Sequence, residues 1–183
     1  MDALYFLVDS VLTFLVYAFL LRVLLQLVRA DFRNPLAQAV LALTNWLVLP
    51  LRKVLPPVGR FDTASLVALL AVQLVSTLVL RRVAAFVAEP PIAALSWWGP
   101  SLWIDALRSL VLSALLLYIV LIFVYALLSF VAPGVRSPAT ALLASLCEPL
   151  LRPLRQVLPI VGGIDFSPLV AIVGLTALRL LVN

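Results

Sequence analysis

The stretch PLRKVLPPVGRFDTASLVA at residues 50–68 recurs as PLRQVLPIVGGIDFSPLVA at residues 153–171, with 12 of 19 positions identical. The offset is 103 and needs no gap. Carried upstream, it sets Arg33 on Arg136, Pro35 on Pro138, Leu43 on Leu146 and Leu47 on Leu150. A self-match at fixed offset is the signature of a duplicated structural unit. Carried outward, it sets residues 4–28 on 107–131 and Leu80 on Asn183. The sequence therefore divides into a first module, 4–80, a linker, 81–106, and a second module, 107–183.

What flanks each copy decides the fold class. Of the 183 residues, 65% are apolar and 11% are Asp, Glu, Lys or Arg, whereas roughly a quarter are charged in an ordinary soluble domain. That excludes a water-soluble globule. Four runs, 4–28, 63–80, 110–132 and 166–182, approach the roughly 20 apolar residues that a helix needs to cross a bilayer. Two more, 36–49 and 139–151, are too short to cross and read as interfacial or re-entrant. A kink or break is expected at Pro50 and Pro153, which follow them. The fold class is an all-α membrane protein with four transmembrane helices. These form two parallel helix-hairpin repeats, each with a short amphipathic helix and a Pro/Gly connector. The first run opens with Asp2 and Asp9 rather than a basic region, so it reads as a retained span of a bacterial inner-membrane protein and not as a cleaved signal.

Charge sets the orientation. The net charge is +5, and 12 of the 13 cations are arginine. Their scatter argues against a nucleic-acid surface, which needs a basic patch. Eight of the 13 lie in the connectors: Arg29, Arg33, Arg52, Lys53 and Arg60, then Arg136, Arg152 and Arg155. The positive-inside rule therefore puts both connectors in the cytoplasm, with both termini and the linker outside. Trp97, Trp98 and Trp103 in the linker suit an outer headgroup layer, where they would act as anchors. Histidine is absent and Cys147 is the single cysteine, which leaves no His/Cys metal centre, thiol or serine nucleophile with a histidine base, or disulfide. No catalytic residues, metal ligands or cofactor-binding residues are assigned, and the expected partners are the lipid bilayer and membrane proteins or a second copy.

The connector residues are the specific feature: Pro50, Arg52, Pro56, Gly59 and Asp62, repeated as Pro153, Arg155, Pro159, Gly162 and Asp165. Asn34-Pro35 and Ser137-Pro138 are start signals for the short helices. Ser167, and Asp62 or Thr63, are expected to cap the helices that follow. Arg52 precedes Asp62 by ten residues and Arg155 precedes Asp165 by ten, so each pair could close a charge-assisted bridge across the turn. The alternative is that the arginines reach lipid phosphates while the aspartates cap helices. Gln38, Asn45 and Arg52 recur every seven residues as a polar stripe, as do Glu148 and Arg155. Glu148 and Asn45 form the candidate ion or polar site, with Arg152 the expected partner of Glu148 at i,i+4. Asp9 and Arg22 are expected to anchor opposite ends of the first span. Ala64, Ala68 and Ala71, with Ala171 and Gly174, offer a small-residue face for helix packing. Cys147 reads as a small buried apolar side chain.

This connector resembles that of the YggT family, whose hallmark is Pro-Leu-Arg, then Leu-Pro, then Gly-Gly-hydrophobic-Asp-hydrophobic-Ser-Pro. The second copy is nearly complete from Pro149 to Pro168. In the first copy, Trp46 stands for Pro149, Arg60 for the second glycine and Ala64-Ser65 for Ser-Pro. The resemblance implies an envelope membrane protein linked with osmotic-stress tolerance or division in bacteria and with cytochrome assembly in plastids. With the residues it favours a non-enzymatic scaffold or assembly factor over the alternative, a small ion channel or transporter component.

Overall fold

The computed structural model describes residues 2–56, 62–87, 100–131, 134, 137–158 and 165–182. Among them the regular structure is all helical: α1 (Asp2–Leu27), α2 (Pro35–Val54), α3 (Thr63–Val87), α4 (Pro100–Val131), α5 (Pro138–Val157) and α6 (Ser167–Val182). Three helices hold stretches long and apolar enough to cross a membrane: Ala3–Leu27, Thr63–Val83 and Ser101–Val131. The 16 residues of α6 are equally apolar but shorter. Helices α3 and α4 run into the stretch assigned to the linker, and Arg81 pairs there with Asp105 and donates to the Ser101 carbonyl at 3.2 Å. Trp103 is exposed on α4, while Trp97 and Trp98 lie outside the described residues.

The helix starts follow from local chemistry. Asn34 Oδ1 accepts from the Leu36 N–H at 2.9 Å, with Pro35 opening α2. Ser137 Oγ accepts from the Thr140 N–H at 3.1 Å, and Thr140 Oγ1 accepts from the Ser137 N–H at 2.9 Å, a reciprocal capping box. The Asp165 carboxylate, not the Ser167 hydroxyl, satisfies the first turn of α6, accepting from the Ser167 N–H at 2.9 Å.

Of the kink or break expected at Pro50 and Pro153, the break does not occur. Both short helices run 20 residues, α2 through Pro50 and α5 through Pro149 and Pro153. A proline removes one ladder bond, but each helix continues past it and closes with a further i to i−4 bond at its end, Leu55 N–H to Leu51 O at 2.7 Å and Leu158 N–H to Leu154 O at 2.9 Å. Arg52 and Arg155 therefore belong to the same helices as Asn45 and Glu148, two turns further along.

The chain forms two compact units. The first comprises residues 1–23 and 43–111. It buries Val16, Phe19, Leu20, Val48, Ala64, Ala68 and Leu69, and the Phe19 and Trp46 rings meet edge to face at 6.2 Å. The second comprises residues 24–42 and 112–183, with a core of Ile122, Cys147, Leu151 and Ala171 from α4, α5 and α6. Ala64 and Ala68 are buried, but Ala71 and Gly174 are exposed. The buried row on α3 instead passes Ser65, Leu69, Gln73 and Ser76, mostly in steps of four, the inclined ridge along which helices interlock.

The surface is inverted relative to a soluble domain. At least 35 large apolar side chains are exposed among the described residues, against 20 buried apolar ones. At about 1.5–3 kcal/mol for each such side chain held in water, that exterior suits hydrocarbon. Phe130 on α4, for example, is 78% exposed.

Two residues past the end of α1 stands Arg29, a non-glycine residue with φ 54°. There the Ala30 N–H reaches Leu25 O at 2.9 Å and the Arg29 N–H reaches Gln26 O at 3.2 Å, the double closure that ordinarily takes glycine. Because the left-handed conformation costs an L-residue about 1 kcal/mol, Arg29→Gly is expected to stabilise the protein by about that amount. Thermal or denaturant unfolding of the purified protein measures it, and an unchanged midpoint counts against the cap.

Candidate functional site

Each unit has a polar junction where a long helix, a short helix and the start of the next helix meet. In the first unit, Arg52 on α2 grips Asp62, which precedes α3, through Nε and Nη2. The Ser65 hydroxyl donates to Asp62 Oδ2 at 2.6 Å and in turn accepts from Arg22 Nε at 3.0 Å. Arg22 Nη1 donates to Thr44 Oγ1 at 2.7 Å and to Asn45 Oδ1 at 2.9 Å. Thr63 Oγ1 ties the turn by donating to the Pro56 carbonyl at 2.9 Å.

Arg22 corrects the sequence expectation. It is 1% exposed, not an interfacial anchor. A planar guanidinium presents donors in a fixed fork, and here that fork meets oxygens from two other helices. Burial is tolerable because each of those donors is satisfied.

In the second unit, Arg155 on α5 holds two carboxylates: Nε meets Asp165 Oδ2 at 2.7 Å and Nη1 meets Glu148 Oε1 at 2.6 Å. The Tyr125 hydroxyl of α4 donates to the same Glu148 oxygen at 3.0 Å. The acid thus pairs with Arg155 seven residues on, not with Arg152 four residues on. Two unbroken turns bring Glu148 and Arg155 to one face, while Arg152 is exposed. A cavity of about 220 Å³ beside this junction is lined by Tyr125, Ser129, Phe130, Arg155, Asp165 and Pro168, among others.

Of the connector residues, Arg52, Asp62, Arg155, Asp165, Asn45 and Glu148 lie in the junctions. Pro50 and Pro153 lie within helices, and Pro56 supplies a carbonyl. Gly59, Pro159 and Gly162 lie outside the described residues. Arg22, Thr44, Ser65 and Tyr125 were not anticipated. The available signal was the offset itself: Tyr125 falls 103 residues after Arg22, Cys147 after Thr44 and Glu148 after Asn45.

The electrostatics favour fixed charge. Burial alone would raise the Asp165 carboxyl, but hydrogen bonds from Ser167 and the Arg155 guanidinium hold it below the usual carboxylate range. Burial likewise opposes the charge on Arg155, yet its hydrogen bonds to Asp165, Glu148 and Tyr125 push its pKa above the ordinary arginine value. Both shifts favour the charged forms, so Arg155 and Asp165 form a charge-assisted bridge that docks α5 against the start of α6. Among the described residues no group of three or more His, Cys, Asp or Glu side chains could hold a metal.

Because the folded pKa of Asp165 lies below its unfolded value, its stabilising contribution is present above about pH 4. It is lost as pH falls through the folded value. Thermal midpoints of wild type and Asp165→Asn should therefore converge in acid, and a constant gap from pH 7 to pH 2 contradicts the bridge. In a double-mutant cycle, Arg155→Ala and Asp165→Ala should couple by about 1 kcal/mol, given partial exposure; additive losses would rule the pairing out. Arg22→Ala should destabilise by about 3 kcal/mol, through loss of its hydrogen bonds and the unpaired oxygens left behind. Arg22→Lys should rescue little of this, because it lacks the fork.

The family model described as CCB3/YggT matches residues 1–83 and 104–183. A relative in Escherichia coli named uncharacterized protein YggT is 36% identical over 172 residues, covering 94% of this chain and 85% of its own. An uncharacterised protein of Pseudomonas aeruginosa is 38% identical over 163 residues, covering 89% and 79%. Another of Vibrio alginolyticus, named for its place in the proC 3' region, is 31% identical over 175 residues, covering 96% and 90%. No solved structure matches the chain. Matched by the family model over nearly its whole length, the chain belongs to the CCB3/YggT family.

Proposed function

We propose that this protein is a non-enzymatic scaffold or assembly factor of the bacterial inner membrane. In this reading α1, α3, α4 and α6 all span the bilayer, and α2 and α5 are short helices at its cytoplasmic interface. The modules 4–80 and 107–183 are parallel repeats joined by an extracytoplasmic linker, 81–106, with both termini outside. The observation that carries the reading is how the polar groups are used. Polar and charged side chains in each unit bind one another across three helices, while the long helices present apolar faces outward. Such a molecule offers rigid apolar surfaces to lipid and to other spanning helices. The two family-model segments, 1–83 and 104–183, support the modular division.

A second reading, a small channel or transporter component, draws on the cavity beside Tyr125, Ser129, Arg155 and Asp165. Intramembrane polar groups beside a void are what a permeation path requires. The link to osmotic-stress tolerance or division comes from the family resemblance. Growth of a deletion strain against its parent at raised osmolarity tests that link.

Ion flux in proteoliposomes separates the two readings. The scaffold predicts flux equal to that of protein-free vesicles, and a conductance removed by Asp165→Asn would establish the channel instead. Reporter fusions placed after residues 56 and 158 should both report cytoplasm and one at residue 183 the outside. Elbows reported on opposite sides would overturn the parallel arrangement.

A further inference from the structure

The two junctions use the same four positions, 103 residues apart, but carry opposite formal charge. In the first, Arg22 and Arg52 face one carboxylate, Asp62, and Asn45 is neutral. In the second, one cation, Arg155, faces two carboxylates, Glu148 and Asp165, and Tyr125 is neutral. Among the side chains that bond one another the first is therefore +1 and the second −1, and one exposed cation beside each, Lys53 and Arg152, keeps that difference of two. Buried Arg22 is linked to Asp62 through the Ser65 hydroxyl, which accepts from Arg22 and donates to Asp62. Asp62 is largely covered, at 12% exposed, whereas Arg52 is 44% exposed and Lys53 beside it is also open to the surface.

A surplus charge fixed behind a partly exposed guanidinium attracts a counter-ion. At the edge of an apolar surface the available anion is the phosphodiester of a lipid headgroup, which arginine matches with its donor fork. We propose that the first junction, at Arg52 and Lys53 with Arg22 behind them, is a docking site for the phosphate of an anionic phospholipid, and that the second junction is not. The inference rests on the membrane reading above. Failure of that reading would appear as protein recovered in soluble form without detergent. Failure of this one would appear as loss of lipid selectivity in micelles.

The test is native mass spectrometry of the full-length protein in detergent, with phosphatidylglycerol and phosphatidylcholine added in equal amounts. Retention of phosphatidylglycerol should exceed that of phosphatidylcholine by about fivefold, the effect of one unit charge near a membrane surface. Asn45→Glu, which gives the first junction the acid that the second already has, should abolish the preference. Glu148→Gln should leave it intact. If Asn45→Glu does not fold, Lys53→Gln carries the test and should reduce the preference measurably. Equal retention of the two lipids by wild type, or a preference that survives these first-junction variants, overturns the proposal. Displacement of the lipid by millimolar inorganic phosphate would overturn the lipid as occupant and identify a free-phosphate site instead.

Discussion

An arginine near the end of a short helix holds an aspartate ten residues further on, and this link sets where the following helix begins. The bond matters because of the medium. With apolar side chains outside, a charged group near the hydrocarbon needs a protein partner. Arg52 with Asp62 and Arg155 with Asp165 meet that need while closing a proline-bearing turn. Each aspartate has a second task at the helix that follows: Asp165 accepts from the Ser167 N–H, and Asp62 accepts from the Ser65 hydroxyl. One carboxylate thus sets both the angle of entry and the first turn, joining backbone conformation to tertiary docking.

Much of this was legible in the sequence, and the misses have physical causes. The long helices follow from apolar length, and the starts of α2 and α5 from Asn34-Pro35 and Ser137-Pro138. The ten-residue pairing raised the bridges as one of two readings, because spacing alone cannot say whether an arginine turns toward protein or lipid. Pro50 and Pro153 do not end their helices. Near the last turn of a helix a proline's missing donor removes one bond and the helix continues, so Glu148 reached Arg155 two turns on and not Arg152 one turn on. Arg22 was misassigned because a long cationic side chain near the end of a span ordinarily extends to the interface. Three oxygens on two other helices hold it inward, and no periodicity within its own helix records them.

The junctions also show how duplicated positions diverge without losing geometry. Arg22 and Tyr125 both place donors toward the short helix, one through a charged fork and the other through a hydroxyl. Asn45 and Glu148 both accept. The hydrogen-bond pattern is preserved while the formal charge reverses, so the constraint retained is donor against acceptor across the helix pair. Charge is the variable, and it gives each junction its own electrostatic character on a shared frame.

The lone thiol has a practical consequence. Cys147 is sealed among Ile122, Leu151 and Ala171, and burial pushes its pKa up to about 12. Only the thiolate reacts readily, so in the native fold this side chain is expected to react slowly with maleimides. When α5 lifts away from α4 and α6, the sulfur is uncovered and its acidity returns to normal. Alkylation rate at this one atom is therefore an intrinsic clock for the opening of the second unit, readable in native membranes without an added probe.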